Sequence, residues 1–100
     1  MWFSAFTSVR PPAYPARVLY LAEFYLPAGA SLAGVARAAR AGAAQAARTG
    51  AQVRFIQAVF VPQDESCFAL YQASSAEEVT AAGALAGLEY DRVAEAFAAP

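Results

Sequence analysis

Apolar side chains fall on both sides of the segment from Arg17 to Leu26: Val18, Tyr20, Ala22, Phe24 and Leu26 on one side, Leu19, Leu21 and Tyr25 with Arg17 and Glu23 on the other. Alternation with both sides largely apolar predicts a strand covered on two faces, and Pro27 and Gly29 end it. From Ser31 the period changes. Leu32, Val35, Ala36, Ala39, Ala43 and Ala46 recur at helical spacing, with Arg37, Arg40, Gln45 and Arg48 mostly off the stripe. That pattern predicts an amphipathic helix to about Thr49, capped by the Ser31 hydroxyl and stopped at Gly50. Some 18 residues make a helix about 27 Å long. Its inward stripe is mostly alanine, so the helix should pack close to the sheet, and a large residue in place of an inward alanine overpacks it.

Gln52 to Val61 is rich in β-branched and aromatic residues and reads as a second strand. Pro62-Gln63-Asp64-Glu65 is a turn by composition, and Ser66 to Gln72 a third strand, so the two form an antiparallel hairpin. Ser75 and Glu78 have capping-box spacing at the start of a second helix, where Glu77 and Glu78 also suit the positive end of the helix dipole. Val79, Ala82, Leu85 and Ala86 are its expected buried face, Gly87 its stop, and Arg92 to Phe97 a last strand. The order is strand, helix, strand, strand, helix, strand. This is the ferredoxin-like βαββαβ arrangement of the α+β class: a four-stranded antiparallel sheet with two helices on one face. Residues 17–100 form this domain. Residues 1–16, with Pro11, Pro12 and Pro15, form an N-terminal tail with no regular structure of its own.

Composition sharpens one point. The hydrophobic fraction is 59% over 100 residues, above the 45–50% or so of an ordinary globular chain. With both helices on one sheet face, the other face still carries large apolar side chains. A second copy of the chain covers it most simply, which predicts a homodimer. The formal net charge is −1 and all seven basic residues are scattered arginines. No basic stripe exists to neutralise phosphates, so nucleic-acid binding is not expected. Arginine interrupts every long apolar run, so no membrane span is expected, and the start lacks a secretory-signal pattern. The single cysteine, Cys67, excludes an internal disulfide and fits a reducing cytoplasm.

Candidate chemistry is sparse. The chain has no histidine, so a cysteine–histidine pair is impossible. Glu23 lies mid-strand among apolar residues and must be paired, solvated in a cavity or protonated; Arg54 and Arg17 are its expected partners. Tyr25 and Tyr71 read as core or interface aromatics with polar tips. Cys67 reads first as a small buried hydrophobe. Glu23, Cys67 and Glu95 are the possible anionic donors on strands, and no spacing rule makes them converge. The candidate ligand-binding residues are Glu23, Tyr25, Gln57, Cys67 and Tyr71.

Several segments in order carry a family resemblance. They are Glu23 followed by Leu26-Pro27, Phe55-Ile56-Gln57, and Val61-Pro62-Gln63-Asp64-Glu65-Ser66-Cys67-Phe68. Ser74-Ser75-Ala76-Glu77 and Gly87-Leu88-Glu89-Tyr90-Asp91-Arg92-Val93 complete the set. From the first strand onward the chain resembles the bacterial family called domain of unknown function 4242, which includes nickel-binding ferredoxin-like proteins. The resemblance implies a ferredoxin-like dimer and nickel as the cofactor. Family members carry a histidine in the second strand where this chain has Gln57, and a neutral amide oxygen is a poor ligand for nickel. Three function classes follow. One is a small homodimeric binding or sensing domain holding a small ligand or metal beside the sheet. The second is a small dimeric monooxygenase- or isomerase-like enzyme with Glu23 as general base, and the third is a purely structural interaction protein.

Overall fold

A computed structural model describes residues 18–100; the expected tail and Arg17 lie outside the described residues. The elements are β1 (Val18–Tyr25), α1 (Leu32–Arg48), β2 (Val53–Val61), a 3-10 turn (Pro62–Asp64), β3 (Ser66–Ala73), α2 (Ala76–Leu85) and β4 (Arg92–Ala96). The four strands lie in the order β2-β3-β1-β4, and every neighbouring pair is antiparallel. This is the expected ferredoxin-like α+β fold.

Local chemistry sets the helix ends. The Ser31 hydroxyl accepts the Gly34 N–H at 3.0 Å. Gly50, at φ +103°, lets the chain turn back so that Gly50 N–H reaches the Ala47 carbonyl (3.1 Å) and Ala51 N–H the Ala46 carbonyl (3.2 Å), a Schellman ending. Gly87 (φ +77°) ends α2 in the same way, with Leu88 N–H on the Gly83 carbonyl at 2.8 Å. The Ser75 hydroxyl caps α2 by accepting the Glu78 N–H at 3.2 Å. Glu78 reaches further back than a capping box requires. Its carboxylate accepts the Ser74 N–H (3.2 Å), the Ser74 hydroxyl (2.6 Å) and the Gln52 N–H (3.0 Å), tying the α2 N-terminus to the start of β2.

Both helices cover one sheet face and share one core. Ala39, Ala43 and Ala46 of α1 and Val79 and Ala82 of α2 pack with Ala22, Phe24, Val53, Phe55, Cys67, Ala69, Tyr71 and Ala73. The two helices also approach each other closely: a Cβ added at Gly42 would sit 2.5 Å from the Ala82 carbonyl oxygen. Two expectations change at the edges. Leu85, the last residue of α2, is 48% exposed, and Leu88, past the glycine, packs on the core instead. Strand β4 ends at Ala96, leaving Phe97 beyond the ladder and 89% exposed.

Candidate functional site

The sheet register decides which candidate residues share a face. Phe24 pairs with Cys67 and Tyr20 with Tyr71 on the helix side, whereas Glu23 pairs with Phe68 and Leu21 with Leu70 on the open side. Strand β2 carries a bulge between Phe55 and Gln57. Without it, strict alternation would aim Gln57 at the helices together with Val53 and Phe55. The extra residue, Ile56, turns Gln57 to the open face opposite Leu70. Glu23, Gln57 and Tyr25 are thus on the open face, and Cys67 and Tyr71 are under the helices. The five candidates do not form one site.

On the helix side, β3 and the α2–β4 loop bring two phenols together. The hydroxyls of Tyr71 and Tyr90 share a hydrogen bond. Phe24 lies 5.2 Å from the Tyr90 ring and Phe55 5.5 Å from the Tyr71 ring, measured between centroids. Gly83 leaves room for the Tyr90 ring against α2, where any side chain would meet it. Burial pushes the Tyr90 phenol far above its ordinary range, and its bond to Tyr71 and the nearby Tyr71 and Cys67 groups push the same way. Burial also raises Tyr71, against a smaller lowering by its bond to Tyr90. Burial raises the Cys67 thiol, against the lowering effect of a backbone hydrogen bond at Phe68. Near neutral pH all three groups are protonated, and the Tyr71–Tyr90 bond ties β3 to the α2–β4 loop.

On the open side, one row of the sheet reads Val59, Phe68, Glu23, Arg92 from edge to edge. Glu23 therefore faces Arg92 across the strand pair, whereas Arg54, one of its expected partners, sits opposite Gln72 with its guanidinium 3.5 Å from the amide oxygen. The next row is Gln57, Leu70, Leu21, Ala94. Residues of opposite sign directly across an antiparallel pair are a favourable cross-strand combination, and Arg92 is exposed at the sheet edge. Tyr25, at the end of β1, is 62% exposed.

Two of the grooves among the described residues bear on the candidate residues and their expected partners. One, of about 660 Å³, lies at the end of β1 between Leu26, Leu88 and the rim residues Tyr25, Glu89 and Asp91. The other, of about 530 Å³, runs between α1 and the outer edge of β2 and is bounded by Arg40, Arg54 and Phe55. Neither was legible as a site in the sequence, because Arg40 and Arg54 are separated by a helix end, a loop and a strand start.

The model of one family, described as nickel responsive protein SCO4226-like, matches residues 20–96. The chain belongs to this SCO4226-like family. Among solved structures, the chain is similar to SCO4226 from Streptomyces coelicolor A3(2), with 22% identity and a TM-score of 0.67 over 82% of this chain and 99% of that one. At that identity the likeness establishes the fold. No curated protein matches the chain.

Nickel is the metal this family brings into question, and the donor set can be tested against it. The chain has no histidine, and its one cysteine and eight carboxylates all lie at residue 23 or beyond. Among the described residues no three of the classical donors gather where they could hold an ion. Cys67 is enclosed and protonated under the helices while Glu23 is on the opposite face. The residues of a single chain do not fit a nickel centre. Among the described residues no helix is long and apolar enough to cross a membrane.

Proposed function

We propose that this protein is a small homodimeric binding or sensing module of the SCO4226-like family, cytoplasmic, in which a second copy covers the open sheet face. Kinship with the domain of unknown function 4242 is part of the same reading. The observation that carries it is the open face itself. Leu19, Leu21, Phe68, Leu70 and Val59 stand on the side of the sheet away from both helices, with Val59 50% exposed. A contiguous apolar field of that kind marks an interaction surface. A two-fold pairing presents the same field to itself and needs no other partner. The Glu23–Arg92 row supplies polar points within the field that fix register more than they add affinity. The binding role rests on family membership, and the reading assigns no nickel centre to the single chain.

Native mass spectrometry of untagged protein, with and without nickel, tests both halves. A dimer at micromolar concentration without stoichiometric nickel is expected. A monomer refutes the dimer, and the tail then becomes the segment to examine as the cover of this face. A stoichiometric nickel adduct refutes the statement about the donor set.

A further inference from the structure

The strand register gives the open face a diagonal layout. Large apolar side chains run from one corner to the other: Val59 beside Phe68, then Leu70 beside Leu21, then Leu19. Polar side chains occupy the two corners that this band leaves. In one corner Glu23 of β1 faces Arg92 of β4. In the other, Arg54 of β2 faces Gln72 of β3, with Gln57 one row further along.

The two corners differ in charge. Glu23 is the one carboxylate among the strand residues of this face. It is half-buried in the single chain, and among the described residues its carboxylate forms no side-chain hydrogen bond or ion pair. Arg54 is exposed, and its guanidinium lies 3.5 Å from the Gln72 amide oxygen, a neutral acceptor that leaves the charge uncompensated. Strand spacing and rise put Arg54 about 16 Å from Glu23 of the same chain, too far for the two to pair.

A two-fold axis relating two stacked sheets lies in the plane between them. Set along the band, it lays each polar corner on the opposite corner of the other copy, and Glu23 comes within side-chain reach of Arg54. Set across the band, it lays each corner on its own counterpart, guanidinium on guanidinium. Unlike charges meet in the first arrangement and like charges in the second, and like charges brought together in an interface are costly.

We infer that the second copy is seated with the two-fold axis along this apolar band, so that Glu23 of each copy pairs with the partner's Arg54. The inference rests on the dimer proposed above and adds its orientation. Covering the face strips water from Glu23, and a carboxylate in an apolar field then needs a charged donor. Arg92 flanks it from its own chain at the sheet edge, and the partner's Arg54 meets it from the facing sheet with a planar fork that matches a carboxylate. Two such pairs in each dimer fix the orientation and select against chains whose charges do not match.

The test is a charge exchange read by sedimentation equilibrium of the full chain, with circular dichroism as the check on the fold. Arg54→Glu sets carboxylate against carboxylate at both ends of the interface and should weaken the dimer about tenfold or more. Glu23→Arg should do the same. The Glu23→Arg/Arg54→Glu double variant restores both pairs with their signs exchanged and should return most of the lost affinity. Arg54 is exposed, so its substitution leaves the core untouched. If Glu23→Arg does not fold, Glu23→Gln takes its place, and on that background Arg54→Glu should no longer weaken the dimer. A monomeric parent overturns this inference together with the dimer. A dimeric parent overturns the pairing alone, and leaves the dimer standing, if Arg54→Glu associates as tightly as the parent or if the exchange restores nothing.

Discussion

Replacing Gly83 by alanine should destabilise the fold, although alanine is the better helix former. A Cβ at this position would lie 2.9 Å from Cδ2 and Cζ of Tyr90, well inside the 3.5–4.0 Å or so at which carbon atoms rest. The phenol ring must move, and its hydroxyl is bonded to Tyr71, which has no exposed surface. Overpacking of this kind costs about 1–3 kcal/mol, and a buried hydroxyl left without its partner about 1–3 kcal/mol more. The helix-propensity gain from glycine to alanine returns about 1 kcal/mol. The net expectation is a loss of about 3 kcal/mol, or roughly 12–24 °C in melting temperature for a domain of this size. Urea unfolding followed by circular dichroism measures it. Protein concentration must be held fixed, since association shifts apparent stability. The same substitution made on a Tyr90→Ala background should be neutral or slightly stabilising, because the clash has gone. A Gly83→Ala variant within about 0.5 kcal/mol of the parent, below what an ordinary buried clash costs, would refute the account of this contact.

Ala39 is fully buried between α1 and the sheet, so Ala39→Leu should cost about 1–3 kcal/mol in the same assay, whereas Ala→Leu at the exposed Ala41 should cost almost nothing. Glu78→Ala removes the acceptor of three hydrogen bonds, two from Ser74 just before α2 and one from Gln52 just before β2. These are solvent-accessible, so a loss of about 1–2 kcal/mol is expected, together with faster amide exchange at Gln52 and Ser74. Cys67 should be silent to a thiol reagent in the native protein and react once it is unfolded; fast native labelling would contradict its enclosure. Cys67, Tyr71 and Tyr90 all hold their protons more tightly folded than unfolded. Their contribution is thus complete below the ordinary thiol and phenol values of 9.0 and 10.0 and is lost as pH rises past them. Stability should fall with rising pH above that point, and Tyr90→Phe should flatten the fall.

The succession of elements was written in the chain because each local signal is short in range. The alternation around Val18 to Leu26, the alanine stripe from Leu32 and the serines at 31 and 75 act within a turn or a few residues of themselves. So do the glycines at 50 and 87, and the structure uses all of these as the pattern requires. Given that order, the sheet topology follows from chain connectivity. What the local signals left open was decided by contacts between distant segments. Strands apolar on both sides do not say which side meets the helices, and the bulge at Ile56 reverses Gln57 relative to plain alternation. The pairing of β1 with β4 chose Arg92, not Arg54, to face Glu23. Tyr90 bears no mark in the sequence beyond a place between two elements; its bond to Tyr71 exists because Gly83 opens a gap on a helix that only the packed fold brings near. The same holds for the groove at Arg40 and Arg54, which needs a helix laid close along a free strand edge. Propensity and periodicity are properties of neighbours along the chain. A site is a property of neighbours in space, and in this protein the two are joined only when the alanine helices settle onto the sheet.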